Sequence, residues 1–339
     1  MSKKIISYSE MIGQAITSNM KKNNKIFISG LEIDYSSKVF GSLNKPFEEF
    51  PSRFVQTPAM ENGLCTILAG SAINGMRPIF VNNRCDFLLL AFDPIVNIID
   101  KWNYMFDGNA GNCPIVITAV IGRGWGQGAT HSQSFHNFFS RLSGINVFLP
   151  TFPSDVSRVY NYALKTKKAS IILHHRGLFK IKEKQNFSKK FCLSNIIKKG
   201  KDLAIITFSY GSIQSLQVSN KIEKKFGRKI TILNLVSLNP LDKTKILRVA
   251  KNHKNILLLD IDHDEGGIND QIFNIIKTNF VNKIIKKIGY KKIPAPAAES
   301  LEKLYYPSNQ VIYDIACKLL QINHKKNKIK TDYNFVGPY

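Results

Sequence analysis

Residues 114–134 read PIVITAVIGRGWGQGATHSQS, an apolar strand-like run that leads into a glycine-rich loop. Glycines at alternate positions from Gly122 to Gly128 disfavour a helix or a strand, because glycine loses the most backbone freedom on folding. The loop lacks the Gly-x-x-x-x-Gly-Lys-Ser/Thr pattern of a phosphate-binding loop. It presents His131 after a strand, where α/β folds place reactive groups. From these residues alone, a functional site and a flexible surface connection remain equally good interpretations.

Outward from this stretch, short β-prone runs alternate with helical patterns over most of the chain. The helical patterns include a helix opened by the capping box Ser7-Tyr8-Ser9-Glu10 and helices from Ala91 and from Phe135. Such alternation predicts an α/β fold with mostly parallel sheets covered on both faces by helices. The alternation is interrupted once, by a segment rich in Lys, Asn and Ser. We therefore predict two doubly wound domains, 1–180 and 202–322, joined by a linker over 181–201 and followed by a basic tail over 323–339.

Composition indicates a cytoplasmic protein. The 339 residues are 44% hydrophobic, which is enough for the cores of about two domains. The five cysteines are far apart, without a Cys-x-x-Cys pair, and this favours reduced thiols over disulfides or a zinc site. The first residues lack the apolar core of a signal peptide, and no apolar run approaches the length of a membrane span. We predict no membrane association.

The formal net charge is +24. The lysines are spread along the sequence and mixed with Asn and Ile, and no basic stripe with interleaved aromatic residues accompanies them. A compositional bias explains this pattern better than nucleic-acid binding does, so we predict no nucleic-acid partner. Attraction to an acidic partner protein remains open.

Several side chains are candidates for chemistry. Glu61 precedes an apolar helical segment, where a carboxylate either complements the helix dipole or, if buried, holds a proton for transfer. The dipole interpretation is favoured from the sequence alone. His131 is a candidate acid or base, whereas His136 is expected on a helix surface. Neither histidine has the neighbours of a metal cluster, so we predict no metal site in this chain.

Taken in order, a series of motifs resembles the beta subunits of thiamine-diphosphate-dependent 2-oxoacid dehydrogenases of the pyruvate, branched-chain and acetoin types. The resemblance extends over about residues 5–320 and is specific because the motifs occur in the family's order. The motifs are Thr57-Pro58-x-x-Glu61-x-Gly63, Gly75-x-Arg77-Pro78, Asp86-Phe87-Leu88-Leu89-Leu90-Ala91-Phe92-Asp93, Gly128-x-x-His131-Ser132-Gln133-Ser134, Asn239-Pro240-Leu241-Asp242, Glu265-Gly266-Gly267, Pro294-x-Pro296 and Leu301-Glu302-Lys303-Leu304-Tyr305-Tyr306-Pro307.

The resemblance implies a transketolase-type pyrimidine-binding domain followed by a transketolase C-terminal-like domain. It implies that Glu61 hydrogen-bonds the aminopyrimidine ring of thiamine diphosphate, which activates the cofactor, and that His131 assists proton or acyl transfer. The cofactor-binding residues expected are Glu61, Glu32, Arg84 and Phe87. Two of these lie where the chain departs from the family. Gly30-Leu31-Glu32-Ile33 stands in place of Gly-Glu-Asp-Val, and Arg84 replaces an aromatic residue.

The chain also lacks the Gly-Asp-Gly and following Asn with which the family binds Mg²⁺ and diphosphate. The resemblance therefore implies that an alpha subunit supplies Mg²⁺ and the diphosphate half of the site. It further implies a homodimer contact between beta chains, and a lipoyl acyltransferase is a further candidate partner. A transketolase-like subunit that transfers a two-carbon unit in a biosynthetic pathway remains the alternative. Arg84 either pairs with a substrate carboxylate or braces Asp86 as an ion pair.

Overall fold

The structure is a computed structural model that describes residues 5–185 and 190–323. The chain divides into two compact units. Of the described residues, the first unit contains 5–121, 138–185, 190–192 and 237–240, and the second contains the others. Unlike the contiguous division predicted from sequence, the glycine-rich loop (122–137) groups with the second unit. Of the predicted tail, only Asn323 lies among the described residues.

The described residues form fourteen strands, most of which are rich in apolar and β-branched residues. They are β1 (Ile5–Ser7), β2 (Ile26–Gly30), β3 (Phe54–Gln56), β4 (Arg77–Asn82), β5 (Val116–Ile121), β6 (Ile145–Phe148), β7 (Ala169–His175), β8 (Lys182–Lys184), β9 (Ser194–Lys198), β10 (Leu203–Thr207), β11 (Ile230–Leu235), β12 (Ser237–Asn239), β13 (Asn255–His263) and β14 (Ile284–Tyr290).

Eleven α-helices lie between or after these strands in the described residues. They are α1 (Tyr8–Met20), α2 (Asn44–Glu49), α3 (Glu61–Ile73), α4 (Trp102–Phe106), α5 (His136–Phe139), α6 (Pro153–Ala163), α7 (Tyr210–Phe226), α8 (Lys243–Asn252), α9 (Ile268–Asn279), α10 (Glu299–Tyr305) and α11 (Asn309–Leu319). Helix α1 begins at the predicted capping box: Ser7 Oγ accepts from the Glu10 amide, and the Ser7 amide donates to Glu10 Oε2 at 2.8 Å.

The first unit is built on a seven-stranded sheet in the order β12-β6-β7-β5-β4-β2-β3. All neighbouring strands are parallel except β12, which pairs antiparallel with β6. Every residue of β5 and β7 is buried, as in a parallel sheet covered on both faces. A separate antiparallel pair joins β1 to β8. The predicted α/β class is confirmed.

The second unit has a five-stranded sheet in the order β14-β13-β10-β11-β9, parallel except for β9. Its core packs α7 and α11 against the sheet through Val218, Ile222 and Ile312. The segment predicted as a linker contains both β8 and β9. Strand β9 was missed because its apolar residues are only half-buried or exposed and a lysine ends it, which is common at a sheet edge.

The predicted helix from Ala91 is instead a series of short turns. A 3-10 turn covers Cys85–Leu89, a π-helical turn covers Pro94–Ile99, and α4 follows. Pro94 cannot donate a backbone hydrogen bond, and the Asp100 amide reaches back five residues to the Ile95 carbonyl at 3.0 Å. The predicted helix from Phe135 is likewise only the four-residue α5.

Candidate active site

Glu61 is the first residue of α3, which follows β3 at the carboxyl end of the first sheet. The side chain is half-buried. Across the described residues, no hydrogen bond or ion pair involves its carboxylate. A carboxylate in the first turn of a helix interacts favourably with the helix dipole. Its oxygens nevertheless remain available to a ligand, because no protein group occupies them.

Glu61 lines a narrow cleft that is open to solvent. The cleft lies where β2, β3 and β4 end, because Leu31, Thr57 and Asn83 follow those three parallel strands. Carboxyl ends of parallel strands are the usual ligand-binding edge of an α/β sheet. Glu61 is the one ionisable group among the lining residues, which are Leu31, Thr57, Pro58, Met60, Glu61, Leu64, Phe80, Val81, Asn82, Asn83 and Phe87.

The structure brings two of the predicted cofactor residues together, because Phe87 lines the same cleft as Glu61. Glu32 lies beside it: the Asn83 side-chain amide donates to Glu32 Oε2 at 3.3 Å. Glu32 itself is exposed and has a left-handed backbone (φ +56°). Its predicted role in binding the cofactor therefore stays a prediction.

Arg84 does not line the cleft. Its side chain is buried, its guanidinium lies 5.0 Å from the Phe40 ring centroid, and Nη1 donates to the Asn83 carbonyl at 3.0 Å. Arg176 approaches the same ring at 4.4 Å. The two roles predicted for Arg84 were pairing with a substrate carboxylate and pairing with Asp86. Neither included stacking on an aromatic ring. The predicted binding role of Arg84 stays a prediction.

His131 belongs to the second unit and follows a 3-10 turn, Gly128–Thr130. It is half-buried, and its Nδ1 lies 2.9 Å from Thr130 Oγ1. The four alternate glycines before it all have positive φ, from +66° to +127°. A Cβ added at Gly128 would lie 3.2 Å from the Ala297 side chain. The glycine pattern therefore reflects both the required backbone conformation and a close approach.

Two buried side chains hold this loop. Glu302 is 2% exposed, and its Oε1 accepts from the Gly124 amide at 2.7 Å. Trp125 is also buried, and its Nε1 donates to Ser132 Oγ at 3.0 Å. The segment that carries His131 is thus fixed on both sides of the histidine. Neither anchor was predicted from the sequence. Glu302 lies 178 residues from Gly124 along the chain, and Trp125 lies within the loop, of which only the glycines were interpreted.

His136 is not on a helix surface, so that prediction is wrong. It is fully buried, its Nε2 donates to Asp260 Oδ1 at 2.9 Å, and its Nδ1 lies 2.9 Å from Ser134 Oγ. Burial alone would lower the pKa of His136, but the charge and hydrogen bond of Asp260, with a contribution from Asp262, raise it above its ordinary value. Burial raises the pKa of Asp262, because it disfavours the charged carboxylate.

The partner acids lie at the end of an apolar strand, β13, whose sequence NILLLDIDH turns polar at Asp260. That change from apolar to acidic residues at a strand's carboxyl end is a signal that the sequence offered. Across the described residues, no group of three or more His, Cys, Asp or Glu side chains is arranged to hold a metal ion.

Comparison with known families decides what this architecture is. Residues 4–182 match the transketolase pyrimidine-binding domain, and residues 194–312 match the transketolase C-terminal domain. The chain belongs to the transketolase family. The predicted fold class, with its two transketolase-type domains, is confirmed.

The relatives of this transketolase-family chain confirm the predicted resemblance. It is 27% identical to the mitochondrial pyruvate dehydrogenase E1 component subunit beta of Chaetomium thermophilum, over 92% of this chain and 85% of that protein. It is 26% identical to the 2-oxoisovalerate dehydrogenase subunit beta of Bacillus subtilis, over 89% and 94%. It is 27% identical to the acetoin:2,6-dichlorophenolindophenol oxidoreductase subunit beta of Cupriavidus necator, over 91% and 96%.

Among solved structures, the chain is similar to a split-gene transketolase described as an inactive beta4 tetramer. The TM-score is 0.75, over 94% of this chain and 99% of that one, at 20% sequence identity. At this identity the similarity shows the fold alone. No helix in the described part of this transketolase-family chain is long and apolar enough to cross a membrane.

Proposed function

We propose that this chain is the beta subunit of a thiamine-diphosphate-dependent enzyme of the 2-oxoacid dehydrogenase type, which decarboxylates a 2-oxo acid and transfers the acyl group together with an alpha subunit. The observation that carries the proposal is the unpartnered carboxylate of Glu61 in a cleft at the carboxyl edge of the first sheet. The named beta-subunit relatives, matched over most of their length, support the same reaction class.

The residues present fit the pyrimidine half of the cofactor. The cleft offers one carboxylate, Glu61, as a hydrogen-bond acceptor or proton holder for a ring nitrogen. Phe87, Met60 and Leu64 supply apolar surface for a flat ring. When bound, thiamine diphosphate supplies a carbon nucleophile that adds to the carbonyl of the 2-oxo acid.

Within this cleft, Glu61 is the group that holds the proton. A carboxyl that shares a proton with a ring nitrogen acts most strongly where water is excluded. Leu64, which is buried, supplies apolar surface beside Glu61 in the first unit, and a bound cofactor would cover the open side of the cleft. We assign Glu61 to the step that activates the cofactor.

His131 is assigned to proton or acyl transfer on the substrate side. Its Nδ1 lies 2.9 Å from Thr130 Oγ1, and we assign the proton exchange to the imidazole ring. The anchors at Glu302 and Trp125 keep this loop in one conformation, which is what a positioned acid or base requires.

We further propose the partners that the missing half-site requires. An alpha subunit supplies Mg²⁺ and the diphosphate site, two beta chains contact each other in a two-alpha, two-beta assembly, and a lipoyl acyltransferase accepts the acyl group. Five free cysteines support a reducing, cytoplasmic setting.

The test is Glu61→Gln in the enzyme reconstituted from the alpha and beta chains. The substitution keeps the side-chain volume but removes the group that holds the proton. We expect exchange of the cofactor's reactive C–H with deuterium, followed by NMR, to slow at least about a hundredfold. The matched control is Glu48→Gln, an exposed glutamate in α2 that should leave exchange and turnover unchanged. Exchange at the unaltered rate in Glu61→Gln would show that the assignment is wrong.

Substrate panels then separate the proposal from its alternative. Reduction of an artificial electron acceptor with 2-oxo acids, and little transfer to aldehydes, supports the dehydrogenase class. Efficient transfer of a two-carbon unit to an aldehyde or sugar acceptor, with no 2-oxo acid oxidised, would favour the transketolase-like alternative.

A further inference from the structure

The second unit has an edge that the proposed function does not use. Helices α7, α8 and α9 each end a few residues before the next parallel strand begins, so their last turns lie at the amino end of the sheet. Helix α11 ends there too, because the Asn255 side chain at the start of β13 donates to the Leu319 carbonyl at 2.8 Å. We call this the amino-end edge. The acidic residues of β13 lie at the opposite, carboxyl end.

The amino-end edge gathers twelve basic side chains against two carboxylates, Asp202 and Glu223. Both carboxylates are already paired, Asp202 with Arg228 at 3.6 Å and Glu223 with Lys198 at 2.8 Å. Most of the basic side chains are exposed. They are Lys198, Lys199, Lys201, Lys224, Lys225, Arg228, Lys229, Lys251, Lys254, Lys277, Lys283 and Lys318.

Neither compositional bias nor helix capping accounts for this arrangement. Bias would distribute lysines evenly, yet the other described residues of the second unit carry nearly equal numbers of basic and acidic side chains. Lysines in the last turn of a helix interact favourably with the helix dipole. That accounts for Lys224, Lys225, Lys251, Lys277 and Lys318. It does not account for Lys199, Lys201 or Lys229, which lie in the segments between elements.

Exposed apolar side chains interrupt the basic surface. Val281, between α9 and β14, is 74% exposed, and Ile284 at the start of β14 is 48% exposed. Lys283 lies between them, and its Nζ donates to the Lys251 carbonyl at 2.9 Å. Charge with apolar contact fits a protein partner, whereas a phosphate backbone needs only the charge. A second copy of the same edge would be repelled by like charge.

We propose that the amino-end edge of the second unit is a docking surface for an acidic, partly apolar segment of another protein. The partner's carboxylates meet the lysines, and its apolar side chains cover Val281 and Ile284. This inference goes beyond the proposed catalytic function and does not depend on it, because the edge lies at the opposite end of the sheet from Asp260 and Asp262.

The test compares two fourfold lysine-to-glutamine variants of the full chain. The edge variant changes Lys224, Lys229, Lys251 and Lys254; the control variant removes the same charge outside the edge, at Lys243, Lys291, Lys292 and Lys303. The probe is a fluorescent synthetic peptide in which glutamate alternates with leucine, titrated by anisotropy at an ionic strength of about 0.15 M, where the Debye length is about 8 Å. A short duplex DNA is titrated in parallel, and the melting temperature of each variant is recorded.

We expect the edge variant to bind the peptide about tenfold more weakly, the size expected of four exposed charge pairs. The control variant should bind it within about twofold of the unaltered chain, because distant exposed charges are screened. Equal losses in both variants would overturn the proposal in favour of diffuse attraction. Tighter binding of the duplex than of the peptide, lost in the edge variant, would make this a nucleic-acid face. A lower melting temperature of the edge variant with unchanged peptide binding would also overturn the proposal. It would show that these lysines stabilise the ends of the helices instead.

Discussion

The buried pair of His136 and Asp260 allows a sharp prediction for Asp260→Asn. Both side chains are fully buried, and they meet at 2.9 Å. Asparagine keeps the shape and an acceptor oxygen but removes the charge that stabilises the imidazolium. Breaking a buried ion pair by removing one partner costs about 3–5 kcal/mol, and the retained acceptor places our expectation at about 3 kcal/mol of unfolding free energy.

The pH dependence of this loss has a definite sign. Asp260 holds the folded-state pKa of His136 above its ordinary value of 6.5. The stabilisation is therefore fully present below about pH 6.5 and is lost as pH rises through the folded pKa. Without the Asp260 charge, burial dominates and lowers that pKa, so the variant loses stability as pH falls. The difference between the two proteins should be larger near about pH 6 than near about pH 8.

Urea unfolding followed by tryptophan fluorescence, to which Trp125, buried in the same unit, contributes, measures this difference at both pH values. The matched control is Glu265→Gln, an exposed carboxylate whose contact with Lys292 is 3.4 Å long. We expect it to change stability by less than about 0.5 kcal/mol. A loss in Asp260→Asn that is the same at both pH values, or no larger than the control's, would refute the reasoning.

Three further predictions follow from the contacts. Arg84→Lys should lower the free energy of unfolding by about 1 kcal/mol through loss of stacking on Phe40, with KM unchanged; a raised KM without loss of stability would instead support substrate binding. Glu302→Ala should speed deuterium exchange at the Gly124 amide and lower kcat through His131, and unchanged exchange would contradict the anchoring role. The isolated chain should bind thiamine diphosphate weakly and show no activity in calorimetry and turnover assays, and tight Mg²⁺-dependent binding would contradict the split site.

Local patterns made much of the fold predictable. The strand run that ends at Ile121 is apolar throughout, and the Ser7 to Glu10 capping box fixes the start of α1. The residues that form each of these signals lie within a few positions of one another, so the sequence alone is enough to recognise them. Glu61 at the start of α3 was predictable for the same reason.

What the sequence could not provide depends on partners that are distant along the chain. His136 was predicted on a surface because its partner, Asp260, lies 124 residues further on. Arg84 was predicted to pair with a substrate carboxylate or with its neighbour Asp86, and its stacking on Phe40, 44 residues earlier in the chain, was not predicted. Burial and pairing arise from tertiary packing, and a local pattern carries no information about them.

The glycine-rich loop shows how far the two kinds of information complement each other. The sequence established only that alternate glycines exclude regular structure, which left a site and a flexible connection equally open. The structure explains the alternation: the glycines adopt positive φ, and the residues between them are anchored, with Arg123 stacked 4.6 Å from the Tyr306 ring centroid and Trp125 bonded to Ser132. A merely flexible connection needs glycine but not the anchors. Alternating turns and anchors build a loop with one conformation, as a positioned His131 requires.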